Sequence, residues 1–413
     1  MPIKLFIALS LIFSLMDQLH AAADDVSGPS KSIRSLLGQP KGASELGILL
    51  IPADANRLQK FGFTKYTQIF APNGKPIRII AQADVPDIAV ARARNLLQFF
   101  LTDVPGSKYG ADKSMVANAM AENEAMLMMP TGAHQEGQEP DIPAQGLFES
   151  ETPIDGSHWY LTNDWAHRDA GFEEIFHLVH DTGIGTYMPG ALPDYQSELD
   201  IEARKSIRDG RWGIPIDPSI AEWLQELEEE GSLAQEYIAS VIDTYYGLWA
   251  AWDESPGGMW GIYTAKTREE LATKDPRGQA LLEAFLPPMM NGYEALIDPS
   301  FEGEFKLSFD AAHAYTHKSR YYVDATLTGA RNSNLTGNKE NNVLRGNHGN
   351  NALRGGQGTD VAVFRGAQDE YTFTLSGEIL IVIDQVQGRD GKDQLLEIEV
   401  LRFSDGDISC PEL

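Results

Sequence analysis

The sequence predicts an α+β protein: a mainly helical domain with a small N-terminal sheet, followed by an all-β domain. Three observations predict it. Two β-type runs flank an Asn-Gly turn near the start. Helical stretches with recognisable starts and stops then dominate to about residue 300. From about Ala325 the texture changes to Gly, Asn, Leu and Thr with a nine-residue period. At 413 residues, the chain has room for two or three domains and one substantial core.

Sixty acidic residues against 33 basic ones give a formal charge of −27. That balance argues against nucleic acid or an anionic membrane surface as a partner. It suits a soluble surface in a salty or calcium-containing exterior. Cys410 is the single cysteine, so no intrachain disulfide forms and the fold depends on its core and on metal.

Residues 1–23 read as an export signal: Lys4, an apolar run from Leu5 to Met16, and the small cleavage site Ala21-Ala22-Ala23. The expected location is secreted or periplasmic. No later stretch is long and apolar enough to span a membrane. A flexible leader follows over 24–43. Leu46 to Ile51 reads as a strand, and Tyr66 to Ala71 and Pro76 to Ala81 as a hairpin around Pro72-Asn73-Gly74-Lys75. Pro86 opens a helix over Ile88 to Leu101, and Ala125 to Met129 form a strand stopped by Pro130. Residues 131–157 read as a long loop, whose His134 and Glu136 are within reach of a metal only by chance.

Asp169 is placed to cap the central helix, Ala170 to about Thr182. Further helices are expected near Ser197 to Ile207 and over Pro218 to Glu230. Another starts at the capping box Ser232-Leu233-Ala234-Gln235 and runs through Trp252. The last spans Gly278 to Ile297.

The central helix carries the chemistry. At about 100° per residue, Glu173, His177 and His180 fall at about 0°, 40° and −20°, one stripe of carboxylate and imidazole groups with Glu174 and Asp181 on its shoulder. Such a stripe suits a divalent metal. Glu173 and His177 at i, i+4 can also be a plain helix ion pair, but their apolar neighbours Phe172, Ile175, Phe176, Leu178 and Val179 imply burial, where carboxylates and imidazoles need partners. A basic cluster at Tyr315 to Tyr321 reads either as an oxyanion-binding group or as an ion-paired seam.

Glu173-Glu174-Ile175-Phe176-His177 is similar to the H-E-x-x-H helix of zincin-like metallopeptidases, with Glu in place of the first His. The resemblance implies Glu173 and His177 as metal ligands, with His180 as a further candidate on the same stripe. It implies Glu174 as general base and Glu236, on the later helix, as the remaining ligand. The metal would be zinc, with iron as the alternative, and the substrate a protein or peptide. Asp243 or Tyr246 would support the site from behind.

In the C-terminal part, Gly337, Gly346 and Gly355 recur every nine residues, as do Leu335, Leu344 and Leu353. The copy Gly355-Gly356-Gln357-Gly358-Thr359-Asp360-Val361-Ala362-Val363 fits G-G-x-G-x-D-x-U-x. Residues 326–413 therefore resemble the RTX, or hemolysin-type calcium-binding, β-roll. Gly355, Gly356, Gly358 and Asp360 are the calcium-site residues that this implies. Asn342 and Asn351 stand where the ligating Asp belongs, which implies weak calcium affinity. The zincin resemblance implies a domain over residues 44–325.

The sequence holds no G-x-S-x-G elbow, P-loop or Rossmann fingerprint. The expected function is an exported metal-dependent hydrolase of the peptidase class. The alternative is a non-catalytic secreted calcium-binding or adhesion protein, associated with the cell surface, whose peptidase site has decayed.

Overall fold

A computed structural model describes residues 43–134, 140–162, 169–186 and 188–410. The export signal, the leader up to residue 42, Glu136 and His167 lie outside the described residues. The chain forms two compact units. Among the described residues, the first comprises those up to Thr152, those from 169 to Tyr245 and Asp253–Leu286; the second comprises those from Pro153 to 162, Tyr246–Trp252 and those from Pro287 to 410. The architecture is mixed α+β, with a separate N-terminal sheet and two C-terminal sheets.

In the first unit, β1 (Leu49–Leu50), β2 (Phe63–Phe70), β3 (Pro76–Gln82), β4 (Met126–Met129) and β5 (Gln145–Gly146) make a sheet in that order. β1, β2 and β3 pair antiparallel, while β3–β4 and β4–β5 are parallel. The expected hairpin is present. Gly74, at φ +79°, takes the left-handed conformation, and Asn73 Oδ1 accepts the Lys75 amide at 3.0 Å.

The helix Asp87–Leu101 buries Leu96, Leu97, Phe99 and Phe100. Phe100 meets Phe176 of the central helix with ring centroids 5.2 Å apart. All 13 residues of the helix Leu233–Tyr245 are buried, so this is a core helix rather than an amphipathic surface one. Its polar side chains are accommodated by specific partners. Ser240 Oγ accepts from Trp212 Nε1 at 3.0 Å, and the Tyr237 hydroxyl donates to Asp275 at 2.7 Å.

Several boundaries differ from the sequence reading. Ser114–Glu122 is an additional helix, and Pro193–Arg208 starts earlier than expected because Pro193 pre-sets the first turn. Ser232 forms no side-chain capping box; its backbone carbonyl accepts the Gln235 and Glu236 amides instead. The helix that starts there stops at Tyr245 rather than Trp252. Gly247, at φ +77°, lies so close to the His317 carbonyl that a Cβ would stand 2.1 Å from it. The expected last helix is two short ones, Arg268–Lys274 and Pro276–Glu283, followed by the strand β6 (Met290–Ile297). The pair Pro287-Pro288 removes two amide donors and ends helical pairing before β6.

In the second unit, β7 (Glu304–Lys306), β8 (Tyr322–Leu327), β9 (Asn334–Thr336), β10 (Val343–Arg345), β11 (Ala352–Arg354) and β12 (Val361–Val363) are followed by β13 (Tyr371–Ser376), β14 (Ile379–Asp384), β15 (Lys392–Leu396), β16 (Val400–Phe403) and β17 (Gly406–Ser409). One sheet has the order β17-β16-β12-β10-β8-β6, the other β13-β14-β15-β11-β9-β7. Successive nine-residue copies therefore alternate between sheets, and copies paired in one sheet stand 18 residues apart, while β8, ahead of the repeats, pairs with β10 at a separation of 19. Leu335 pairs with Leu353, while Leu344 pairs with Ala325 and Ala362. All three leucines are buried.

Candidate metal centre

The central helix runs Gly171–Val179 and continues as a π-helical turn, His180–Gly185. Asp169 fixes its start. Its Oδ1 accepts the Gly171 amide at 3.2 Å, and both its oxygens bind the buried Arg92 guanidinium, at 3.2 and 2.7 Å. The expected Asp169 cap is not formed: Ala170 is the N-cap and makes no side-chain cap bond, while Asp169, one residue earlier, is held by a cation from a helix 77 residues earlier. Gly171 suits this contact, since a Cβ there would press on Arg92 Nη1 at 3.1 Å.

Glu173, His177 and Glu236 come together, each offering a ligand atom within 4.8 Å of the others, and all three are buried. Glu173 and His177 are one helical turn apart on the central helix. Glu236 faces them from the first turn of Leu233–Tyr245, with Oε1 3.6 Å from His177 Nε2. Glu174 Oε2 lies 3.6 Å from His177 Nδ1 and accepts from Gln145 Nε2 at 2.7 Å. Gln145 had no sequence signal: it sits in the two-residue strand β5, beside the helix only because β5 closes the sheet.

His180 is not part of the cluster. Its Nε2 is hydrogen-bonded to Gln196 on the helix Pro193–Arg208. It lies one turn beyond His177, ~4.5 Å along the axis, where the widened turn begins. Asp181 accepts from Gln235 Nε2 at 3.2 Å and from Thr186 Oγ1, tying the π-turn to the Glu236 helix. Asp243 is buried on that helix, whereas Tyr246 donates to the Pro287 carbonyl at 2.6 Å in the second unit. His134 packs against the Phe148 ring. In the Tyr315–Tyr321 cluster, Lys318 donates to the Tyr160 carbonyl at 3.2 Å and lies over the Tyr160 ring.

Electrostatics around the three residues are unusual. Burial alone would lower the His177 pKa, but the Glu236, Glu174 and Glu173 carboxylates outweigh it and push it up to about 10. His180, buried without such neighbours, is pushed down to about 4. Burial raises Asp181 to about 6 against its hydrogen bonds. His177 Nε2 is buried with no hydrogen-bond partner, although it is the ring nitrogen that faces Glu236. A buried imidazole between carboxylates, with a nitrogen left for a ligand, fits a divalent cation.

A pH dependence follows for the metal-free protein. The folded pKa of His177 is raised, so its stabilisation is complete below the ordinary value of 6.5 and is lost as pH rises through about 10. The stability difference between wild type and His177→Gln is therefore expected to shrink across that window, with a limiting slope of ~1.4 kcal/mol per pH unit. Denaturant melts at pH 6, 8 and 10 in the presence of chelator measure it. A difference that does not change with pH would show that no proton is held there.

In the C-terminal part, Gly356 and Gly358 have φ of +106° and +125°. A Cβ on Gly355 would stand 2.4 Å from Asp360 Oδ2 and 2.1 Å from the Glu397 carbonyl oxygen. Asp360 is fully buried. Its Oδ1 accepts the Asn342 amide at 2.7 Å, while Oδ2 has no hydrogen-bond partner.

No family model and no curated protein matches this chain. Among solved structures, an extracellular lipase of Serratia marcescens aligns at 12% identity with a TM-score of 0.18, over 89% of this chain and 58% of the lipase chain. This chain thus spans little more than half of the lipase. A TM-score of 0.18 is in the range of unrelated folds and carries nothing about fold or activity.

Proposed function

We propose that this chain is an exported metal-dependent hydrolase of the peptidase class. The observation that carries the reading is the buried Glu173–His177–Glu236 cluster with a third acidic group, Glu174, against the same imidazole. Those three residues would hold zinc or, given two carboxylates, iron. A cation bound there supplies Lewis acidity toward a carbonyl oxygen and lowers the pKa of water. Glu174 is the proton acceptor and later donor, with Gln145 Nε2 holding its Oε2 in one orientation. Among the described strands, β5 is the last of its sheet, and its Gln145 reaches Glu174.

The nine-residue repeats over 326–413 are a β-roll of the RTX kind in this reading, and the turn Gly355–Gly358 with Asp360 binds calcium weakly. The buried, unpartnered Asp360 Oδ2 supports this. The run Leu5 to Met16 directs export, which places the activity outside the cytoplasm. Among the described residues, no helix is long and apolar enough to cross a membrane.

Metal removal tests the reading. The purified protein is expected to hold about one zinc or iron per chain. Chelation should abolish cleavage of an unfolded protein substrate, and adding the metal back should restore it. A chain that holds no transition metal yet binds calcium or a cell surface would make it the non-catalytic binding protein instead.

A further inference from the structure

The two C-terminal sheets contain a hydrogen-bond pattern that repeats at Asn342 and Asn351. Each residue immediately precedes a strand, β10 or β11, and each is buried. Asn342 Oδ1 accepts the Asn338 amide at 2.8 Å. Its Nδ2 donates to the Val323 carbonyl at 2.9 Å and to Asn338 Oδ1 at 3.1 Å. Asn351 does the same nine residues on: Oδ1 accepts the Asn347 amide at 2.8 Å, and Nδ2 donates to the Ser333 carbonyl at 2.7 Å and Asn347 Oδ1 at 3.1 Å. The orientation of both side chains is forced. A backbone N–H can only donate and a carbonyl can only accept, so Oδ1 faces the first and Nδ2 the second.

Asn338 and Asn347 extend the pattern. Asn338 Nδ2 donates to the Leu307 and Tyr322 carbonyls, and Asn347 Nδ2 to those of Thr328 and Arg331. Converging oxygens of this kind are what a hard cation such as calcium coordinates. Here they are met by neutral NH2 groups. The third copy supplies the internal contrast. Asp360 stands at the position of the asparagines, accepts an amide through Oδ1, and leaves Oδ2 buried without a partner.

We propose that the amides of Asn342 and Asn351 take the place of bound cations, so that these turns close without a divalent ion. A carboxylate at either position would set an oxygen lone pair against a carbonyl oxygen in a buried place, which needs a cation or a proton between them. The inference does not rest on the peptidase reading. It leaves any calcium dependence in these turns to the buried carboxylates of Asp360 and Asp393, which accept the Asn342 and Asn351 backbone amides at 2.7 and 2.8 Å.

Hydrogen exchange on the full chain tests it, in calcium and in EDTA, using Asp360→Asn to remove the carboxylate that stands at the asparagine position in the third copy. Strands β9, β10 and β11 are expected to keep the same protection in both conditions, in wild type and in Asp360→Asn. Asn342→Asp and Asn351→Asp should lose protection roughly ten- to a hundredfold in EDTA at neutral pH and recover it in calcium. If β9 to β11 of Asp360→Asn open in EDTA, or if both Asp variants stay as protected as wild type without calcium, the proposal is overturned. The comparison of Asp360→Asn in calcium and EDTA decides the matter even if the Asp variants do not fold.

Discussion

Glu174→Gln is expected to lower turnover of a peptide substrate by about 10²- to 10⁴-fold while leaving the metal content unchanged, the loss typical of a missing general acid–base. The substitution preserves shape, and its amide oxygen can still accept from Gln145 Nε2, the contact that orients Glu174 at 2.7 Å. It cannot take a proton. Glu174 contributes no ligand atom to the Glu173–His177–Glu236 cluster, so the cluster keeps its donors. Its removal also takes one negative charge from beside His177, which lowers that pKa and makes metal loading easier at neutral pH rather than harder. Turnover with equal metal occupancy is the measurement. Activity within tenfold of wild type would remove Glu174 from the mechanism, and loss of metal along with activity would make it a ligand.

The site was legible in the sequence where chemistry follows helical spacing, and illegible where it depends on packing between distant segments. Glu173 and His177 share a face because four residues make about one turn, and that needs no tertiary information. Glu236 was reachable only through resemblance. Its burial comes from a helix surrounded on all sides, which no periodicity in that segment announces. His180 shows the limit of a helical wheel. It shares the azimuth of the stripe, but its axial position and the π-turn starting there bring it to Gln196. Gln145 and Arg92 could not be found from the sequence at all. One lies in a strand of two residues, and the other is a buried arginine whose partner Asp169 looked complete as a helix cap.

In the C-terminal part, the nine-residue period correctly marked the buried leucines, but not their pairing. The period does not show that the copies alternate between two sheets, which puts residues 18 apart in register. The same period suggested that Asn for Asp merely weakens a cation site. What the substitution brings is two N–H donors, and their effect depends on which carbonyls lie opposite, a fact of tertiary structure alone.

His177→Ala, set against His180→Ala, should separate the two imidazoles of the stripe. His177→Ala is expected to weaken metal binding by more than ~100-fold, since even residues behind a ligand are worth about 10–100-fold. It removes the imidazole among the three ligand groups and leaves Glu173 and Glu236 facing each other in a buried place. Without the imidazole, the two carboxylates are a poorer site for zinc, which favours nitrogen and sulfur ligands. The metal-free variant should also lose ~3 kcal/mol, because the positive partner of buried carboxylates is gone. His180→Ala should leave metal content at the wild-type level. Its ring is hydrogen-bonded to Gln196 and is held neutral by burial, so its loss is one of packing. Elemental analysis and denaturant melts of both variants, with and without added zinc, distinguish the outcomes. Equal metal loss in both would put His180 among the ligands and require the π-turn to move when metal binds. No loss in either would mean that the carboxylates alone hold the cation, or that the cluster is an ion pair and the stripe is core.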